Sequence, residues 1–233
     1  MTLEIENISK TVNGIQILNN IKFAVPKGTL TILSGHNGAG KSTLLRILGC
    51  LTRPTRGSIV WQSKPCTYDS SYRKVVGYSG HELMLYENLT VRENLLLFAR
   101  LYNVKDFSDE IERLEKSIGF MTYIDQAVAE LSKGMKQKAS IARALMHRPE
   151  IVILDEPLTG LDIKTQEKVV KFIKELLIQE KYIIIALHDV DRFISIAHQI
   201  VVLKKGSVSQ IEFPCEDTEV DQNRKIVVSG GRV

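Results

Sequence analysis

No apolar run in this chain approaches the ~20 residues that a helix needs to cross a bilayer. Tyr182 to Leu187 is among the longest, and it has the length of a strand. The opening Met1-Thr2-Leu3-Glu4-Ile5-Glu6 alternates as a strand does and lacks the basic-then-apolar order of a signal peptide. Cysteine is scarce: Cys50, Cys66 and Cys215 are far apart and odd in number. They offer neither a disulfide framework nor zinc spacing, so free thiols in a reducing cytosol are expected. Internal repeats are absent. Net charge is only +4 over 233 residues, too little to argue for nucleic acid as a partner. It suits an anionic ligand or a membrane surface equally well. What is present is ample core material, 44% hydrophobic residues, with 25% charged. The length fits one large α/β domain, or one with a small appended lobe.

The stretch that organises the rest is Gly35-His36-Asn37-Gly38-Ala39-Gly40-Lys41-Ser42-Thr43. It matches G-x-x-x-x-G-K-[ST] and sits between a strand pattern, Thr29 to Leu33, and a helix pattern from Leu44 to Leu48. The glycines permit backbone angles that a side chain would block. Successive N–H groups then point inward and cradle phosphates at the positive end of the following helix. Lys41 reaches the terminal phosphates as a point charge, and the Ser42 hydroxyl suits Mg²⁺.

Around this loop the pattern alternates. Leu3 to Ile8 and Gln16 to Val25 read as strands joined by Asn13-Gly14, a hairpin signal. Arg53 to Gly57 breaks the chain; Ser58 to Trp61 and Val75 to Tyr78 are further short strands. From Val91 the period changes from two to 3.6. Helices are expected from there to about Tyr102, over Asp109 to Ile118 with Ser108 as N-cap, and from about Lys133 to Met146 behind Ser132. A helical lobe over about 82–146 is therefore inserted into an α/β core. The core resumes with Ile151 to Leu154, an all-apolar strand of parallel-sheet type. A helix over Lys164 to Gln179 and strands at Tyr182 to Leu187 and Gln199 to Leu203 complete a doubly wound sheet. Residues 214–233 read as a polar tail, with one edge strand at Ile226 to Val228.

Two strands end in polar groups. Ile151-Val152-Ile153-Leu154 delivers Asp155 and Glu156; Ile183 to Leu187 delivers His188. Ligands of open parallel sheets bind at the carboxyl ends of the strands. Asp155 suits Mg²⁺, directly or through water, and Glu156 can orient or deprotonate an attacking water. His188 can hydrogen-bond a terminal phosphate.

Leu131-Ser132-Lys133-Gly134-Met135-Lys136-Gln137-Lys138 resembles the signature motif of the ATP-binding-cassette (ABC) ATPases. It is followed by Ile141 to Leu145, by the Asp-Glu strand, and by Leu158-Thr159-Gly160-Leu161-Asp162, which resembles the family's D-loop. The resemblance covers about Leu3 to Val208. It implies a P-loop NTPase of ABC type, with a mostly parallel sheet core, a small antiparallel β part and the helical lobe, in an ATPase domain spanning 1–213. It also implies ATP and Mg²⁺ as cofactors and a head-to-tail dimer. In that dimer Ser132, Gly134 and Asp162 act at the nucleotide, the first two closing over ATP bound to the other subunit. The implied role is the ATPase subunit of a transporter, peripheral on the cytoplasmic face of the cell membrane, with the permease a separate chain. A soluble ABC ATPase of iron–sulfur assembly type is the alternative.

Three departures from the family pattern stand out. The signature reads Ser-Lys-Gly-Met where Ser-Gly-Gly-Gln is commoner. Val12 falls where the family has an aromatic that stacks on adenine. His81, in Gly80-His81-Glu82, stands in the Q-loop where Gln is usual, and it joins the expected catalytic set. Gly80-His81 with Met84 to Thr90 is similar to haem-exporter ATPases of cytochrome c biogenesis, which implies export of haem or another small cargo. The groove that receives the permease is expected along Leu83 to Leu101.

Overall fold

Asn13 and Gly14 both take positive φ, 49° and 80°, the tight turn that Asn-Gly favours. The turn folds β1 (Thr2–Val12) onto β2 (Ile15–Pro26) as an antiparallel pair. The structure, a computed structural model, describes residues 1–66 and 70–214. After β2 the chain turns through Gly28 into β3 (Leu30–Ser34), then the phosphate-loop stretch and helix α1 (Lys41–Leu48). It returns to the first sheet as β4 (Arg56–Trp61) and β5 (Lys64–Pro65), giving the order β2-β1-β4-β5. The expected break over Arg53 to Gly57 is shorter than its sequence suggests, because β4 starts at Arg56. A Cβ on Gly57 would lie 2.4 Å from the Glu6 and Asn7 carbonyl oxygens, so the missing side chain is what lets the strand join β1 there.

The second sheet contains β3, β6 (Val76–Ser79), β7 (Ile151–Asp155), β8 (Tyr182–Ala186), β9 (Gln199–Lys204) and β10 (Ser207–Glu212), in the order β10-β9-β3-β8-β7-β6. All neighbours are parallel except β10, which turns back on β9 through Lys205 and Gly206, both at positive φ. The apolar runs are explained by burial on both faces. Val152, Leu154, Ile183 and Ile185 face a cluster shared with the helices that follow β6 and β7. Ile151, Ile153, Ile184 and Leu33 face a second cluster with α1 and the antiparallel sheet.

Between β6 and β7 run α3 (Val91–Leu101), α4 (Phe107–Ile118) and α5 (Lys133–Leu145). Helix α6 (Ile163–Ile178) precedes β8; α2 (Ser70–Arg73) and α7 (Asp191–Ile194) are single turns. Ser108 does not cap α4. The helix begins two residues earlier than expected, at Phe107, whose ring packs on the helical cluster, and Asp106 takes the N-cap position. Ser132 does cap α5: its Oγ accepts the Met135 N–H at 3.3 Å. Asn94, fully buried on α3, clamps the segment before that helix. Its Oδ1 accepts the Tyr86 N–H at 2.8 Å, and its amide donates to the Tyr86, Leu89 and Thr90 carbonyls. Cys215 and the tail expected beyond it, with the strand at Ile226 to Val228, lie outside the described residues.

Candidate functional site

The loop after β3 bends where only glycine fits. Gly35 sits at φ 141°, and a Cβ there would meet the Leu203 carbonyl oxygen at 2.3 Å; Gly40, at φ 102°, would strike Leu18. This closeness turns the loop inward, and the Lys41 ammonium donates to the Gly35 and His36 carbonyls at 2.5 and 3.4 Å. Helix α1 starts at Lys41, so the first N–H groups of a helix face the loop's hollow without intrahelical partners.

That hollow is a cavity of about 500 Å³. It collects Asn37 to Thr43 from the loop, Asp155 and Glu156 from the end of β7, His188 beyond β8, and His81 beyond β6. Each strand end contributes because the parallel register of β6, β7 and β8 brings their carboxyl ends to one edge. Gly35 and His36, expected with the rest of the loop, are not among the residues that line the cavity. Ser132, Gly134 and Asp162 lie outside this cavity. A Cβ on Gly134 would lie 2.5 Å from the Gly160 carbonyl oxygen, so the signature helix and the D-loop touch each other. Asp162 caps α6, accepting the Thr165 N–H at 3.0 Å and its hydroxyl at 2.7 Å, bonds that hold its carboxyl below the usual range.

The carboxylates differ. Asp155 is buried at the strand end. Glu156 takes φ 52°, a left-handed backbone that a non-glycine residue adopts at a cost of about 1 kcal/mol or more. Its N–H donates to the Ala186 carbonyl at 3.0 Å. Its Oε1 is buried without a hydrogen bond, and His188 Nε2 stands 3.6 Å away. Burial pushes the Glu156 carboxyl above its ordinary range, against the opposing pull of His188. A strained, half-buried carboxylate that lines a phosphate cavity, with a raised pKa and His188 beside it, is suited to take a proton from water.

Ile17 was missed in the sequence: it is the residue through which the antiparallel sheet lines the cavity. Val12, 44% exposed at the hairpin, does not. A second cavity of about 230 Å³ shares Ser42, Asp155 and His81 with the first and adds Arg46, Leu51, Tyr78, Glu82 and Met84. Leu51, Tyr78 and Met84 also line a third, of about 340 Å³, reaching Phe98, Tyr102, Arg143 and His147. His147, just past α5, is stacked on Tyr102 with centroids 3.8 Å apart, and burial lowers its pKa to about 4. Exposed His198 accepts the Leu30 N–H through Nδ1.

A phosphate loop opening a helix, acidic strand ends beside it and a mixed α/β sheet define a P-loop nucleoside-triphosphatase. The cradle, the Lys41 ammonium, and Ser42, Asp155 and Glu156 lining one cavity fit ATP with Mg²⁺. The family model described as "ABC transporter" matches residues 18–159, and the chain belongs to that family. It is 33% identical over 198 residues to the ABC transporter ATP-binding protein NatA of Bacillus subtilis (strain 168), covering 83% of this chain and 80% of that one. It is 31% identical over 220 residues to the sulfate/thiosulfate import ATP-binding protein CysA of Thermosynechococcus vestitus (strain NIES-2133 / IAM M-273 / BP-1), covering 93% of this chain but 65% of the relative. The ATP-binding cassette MJ0796, in a dimeric post-hydrolysis state with ADP and Pi, superposes with a TM-score of 0.84 at 27% identity, over 92% of this chain and 99% of that one. The chain is thus an ATPase that binds ATP with Mg²⁺.

Proposed function

We propose that this chain, through an ATPase domain spanning 1–213, drives transport across a separate membrane permease and works as one half of a head-to-tail pair. The observation that carries the reading is the row of three cavities, in which His81 borders the phosphate end and Met84 the far end. Among the described residues no helix is long and apolar enough to cross a membrane, and this reading gives the path for cargo to a separate chain. Met84 and Tyr86 are 41% and 58% exposed, which argues against a role in the chain's own core and for a contact surface.

In the proposed chemistry Lys41 and the loop N–H groups hold the phosphates, and Ser42 and Asp155 hold the metal. Bound Mg²⁺ neutralises developing charge on the phosphates. Glu156 accepts the proton of the attacking water, and His188 holds the terminal phosphate. Ser132, Gly134 and Asp162, outside the chain's own cavity, serve the partner's nucleotide.

Export is the direction we read, with haem or another small cargo, because Gly80-His81 and Met84 to Thr90 are similar to haem-exporter ATPases. The sulfate/thiosulfate relative favours import as the second reading. ATP-dependent flux in inverted vesicles holding the chain and its permease separates the two. Tyr86→Ala with Met84→Ser tests the contact. The isolated variant should melt and bind ATP normally yet lose its membrane partner on copurification; a sharp drop in melting temperature would return these side chains to the core.

A further inference from the structure

The third cavity has a cationic floor. Arg143 is 7% exposed, yet no Asp or Glu lines the cavity and, among the described residues, none forms an ion pair with it. Its Nη2 donates to the Tyr78 carbonyl at 2.6 Å, and its face rests 4.9 Å from the Phe98 ring centroid. Its Nε–H is buried with no acceptor. The contrast within the chain is direct: Arg113 and Arg148 both pair with buried Glu110. A guanidinium taken out of water without a counter-charge is costly, and a carboxylate is the group that offsets it.

The surroundings leave that place open. His147 stays neutral at physiological pH because burial lowers its pKa to about 4, and its Nδ1 also lacks a partner. Arg73 adds a second positive charge to the lining. The rim is apolar and adaptable, with Leu51 39% and Met84 41% exposed. Apolar contact at the mouth and an unmatched cation at the base define one kind of occupant.

We infer that the permease segment seated in this cavity carries an aspartate or glutamate that pairs with the Arg143 guanidinium. This rests on the permease reading above and adds to it the chemistry of the contact. Pairing would give the buried charge its missing acceptor only when the partner is present, so Arg143 would select the partner rather than stabilise the isolated chain.

The test uses tagged full-length chain, recovered from native membranes, as wild type, Arg143→Gln and Arg143→Lys. Arg143→Lys puts a primary amine on the cavity floor, and a water-soluble carbodiimide joins an amine to a carboxylate in contact with it. The expected result is an amide linking position 143 to an Asp or Glu of a membrane-spanning protein, located by mass spectrometry. Arg143→Gln should melt no lower than wild type in isolation, because it removes an uncompensated charge, while recovery of the same membrane protein falls at least about tenfold. Undiminished recovery with Arg143→Gln overturns the inference, as does a link only to the chain's own carboxylates. Should Arg143→Gln fail to fold, the carbodiimide product decides alone. If wild type recovers no membrane-spanning protein at all, the permease reading falls, and this one with it.

Discussion

Glu156 combines backbone strain, a buried oxygen without a hydrogen bond and a raised pKa, and each has a measurable consequence. A carboxyl whose folded pKa lies above its unfolded value binds more protons when folded. Its contribution to stability is therefore present at low pH and lost as pH rises through the folded pKa. Glu156→Gln mimics the protonated form. It should raise the melting temperature at pH 8 and leave it unchanged near pH 4. Turnover should fall by about 10²-fold or more, with ATP binding kept. His147 has the opposite sign, its pKa lowered to about 4 by burial. Stability should drop as pH falls from about 6.5 to 4, by on the order of 3 kcal/mol, and His147→Gln should flatten that slope in thermal melts. His81 lines the nucleotide cavity beside His188. His81→Gln should keep ATPase activity; a dead variant would show that the imidazole has a role that an amide cannot fill.

At the scale of elements, α5 asks Ser132 to do two things. As N-cap it holds Met135 N–H; in the proposed pair it faces the other subunit's phosphates. The two roles come apart by substitution. Ser132→Ala should lower stability by about 1 kcal/mol, and Ser132→Asp should restore it, since aspartate caps as well as serine. Neither should support ATP-driven dimers in light scattering, because the aspartate places a negative charge against phosphate. Recovery of dimers with Ser132→Asp would leave Ser132 only its capping role.

Much of this element scale was legible in the sequence for physical reasons. Two-face burial writes β7 and β8 as unbroken apolar runs, and Asn-Gly writes the β1–β2 turn. The strand-end polar groups Asp155, Glu156 and His188 could be placed because parallel register sends carboxyl ends to one edge. Ile17 could not, because which residue of a curved sheet edge meets the loop depends on packing between two sheets. The α4 start was misplaced because a serine signal is weaker than the burial of Phe107. The capping box at Thr90 and Glu93 was there to be read, as Thr-Val-Arg-Glu before an apolar helix. The unpaired state of Arg143 could not be read at all, since it is a property of what surrounds the side chain rather than of its neighbours in sequence.

For the whole molecule, the site and the proposed contact are tied by short buried bonds. The Ser140 hydroxyl, on α5, donates to the Leu83 carbonyl at 2.9 Å and shares a 2.9 Å bond with Ser79 at the end of β6. The segment that carries His81 and Met84 is thus fastened to helix and sheet at once. Base selectivity is also a property of this scale. Among the described residues the cavity lining holds no Phe, Tyr or Trp, and base–aromatic stacking is worth about 1–3 kcal/mol. Titration should find ATP and GTP bound with similar affinity; a strong ATP preference that Val12→Ala leaves unchanged would place the platform elsewhere.

The Asn94 clamp carries a consequence in time as well as in space. A loop amide on a protein surface ordinarily exchanges its hydrogen with water through local opening, independently of the helices nearby. The Tyr86 N–H is held by a fully buried side chain of α3, so it can open only when that helix loosens. In hydrogen–deuterium exchange the Tyr86 amide should keep pace with the middle of α3, although its own ring is solvent-exposed. Asn94→Ala should release it to loop-like rates while the β7 and β8 amides keep theirs. Exchange of Tyr86 at loop rates in the wild-type chain would mean that the rim of the groove moves without its helix.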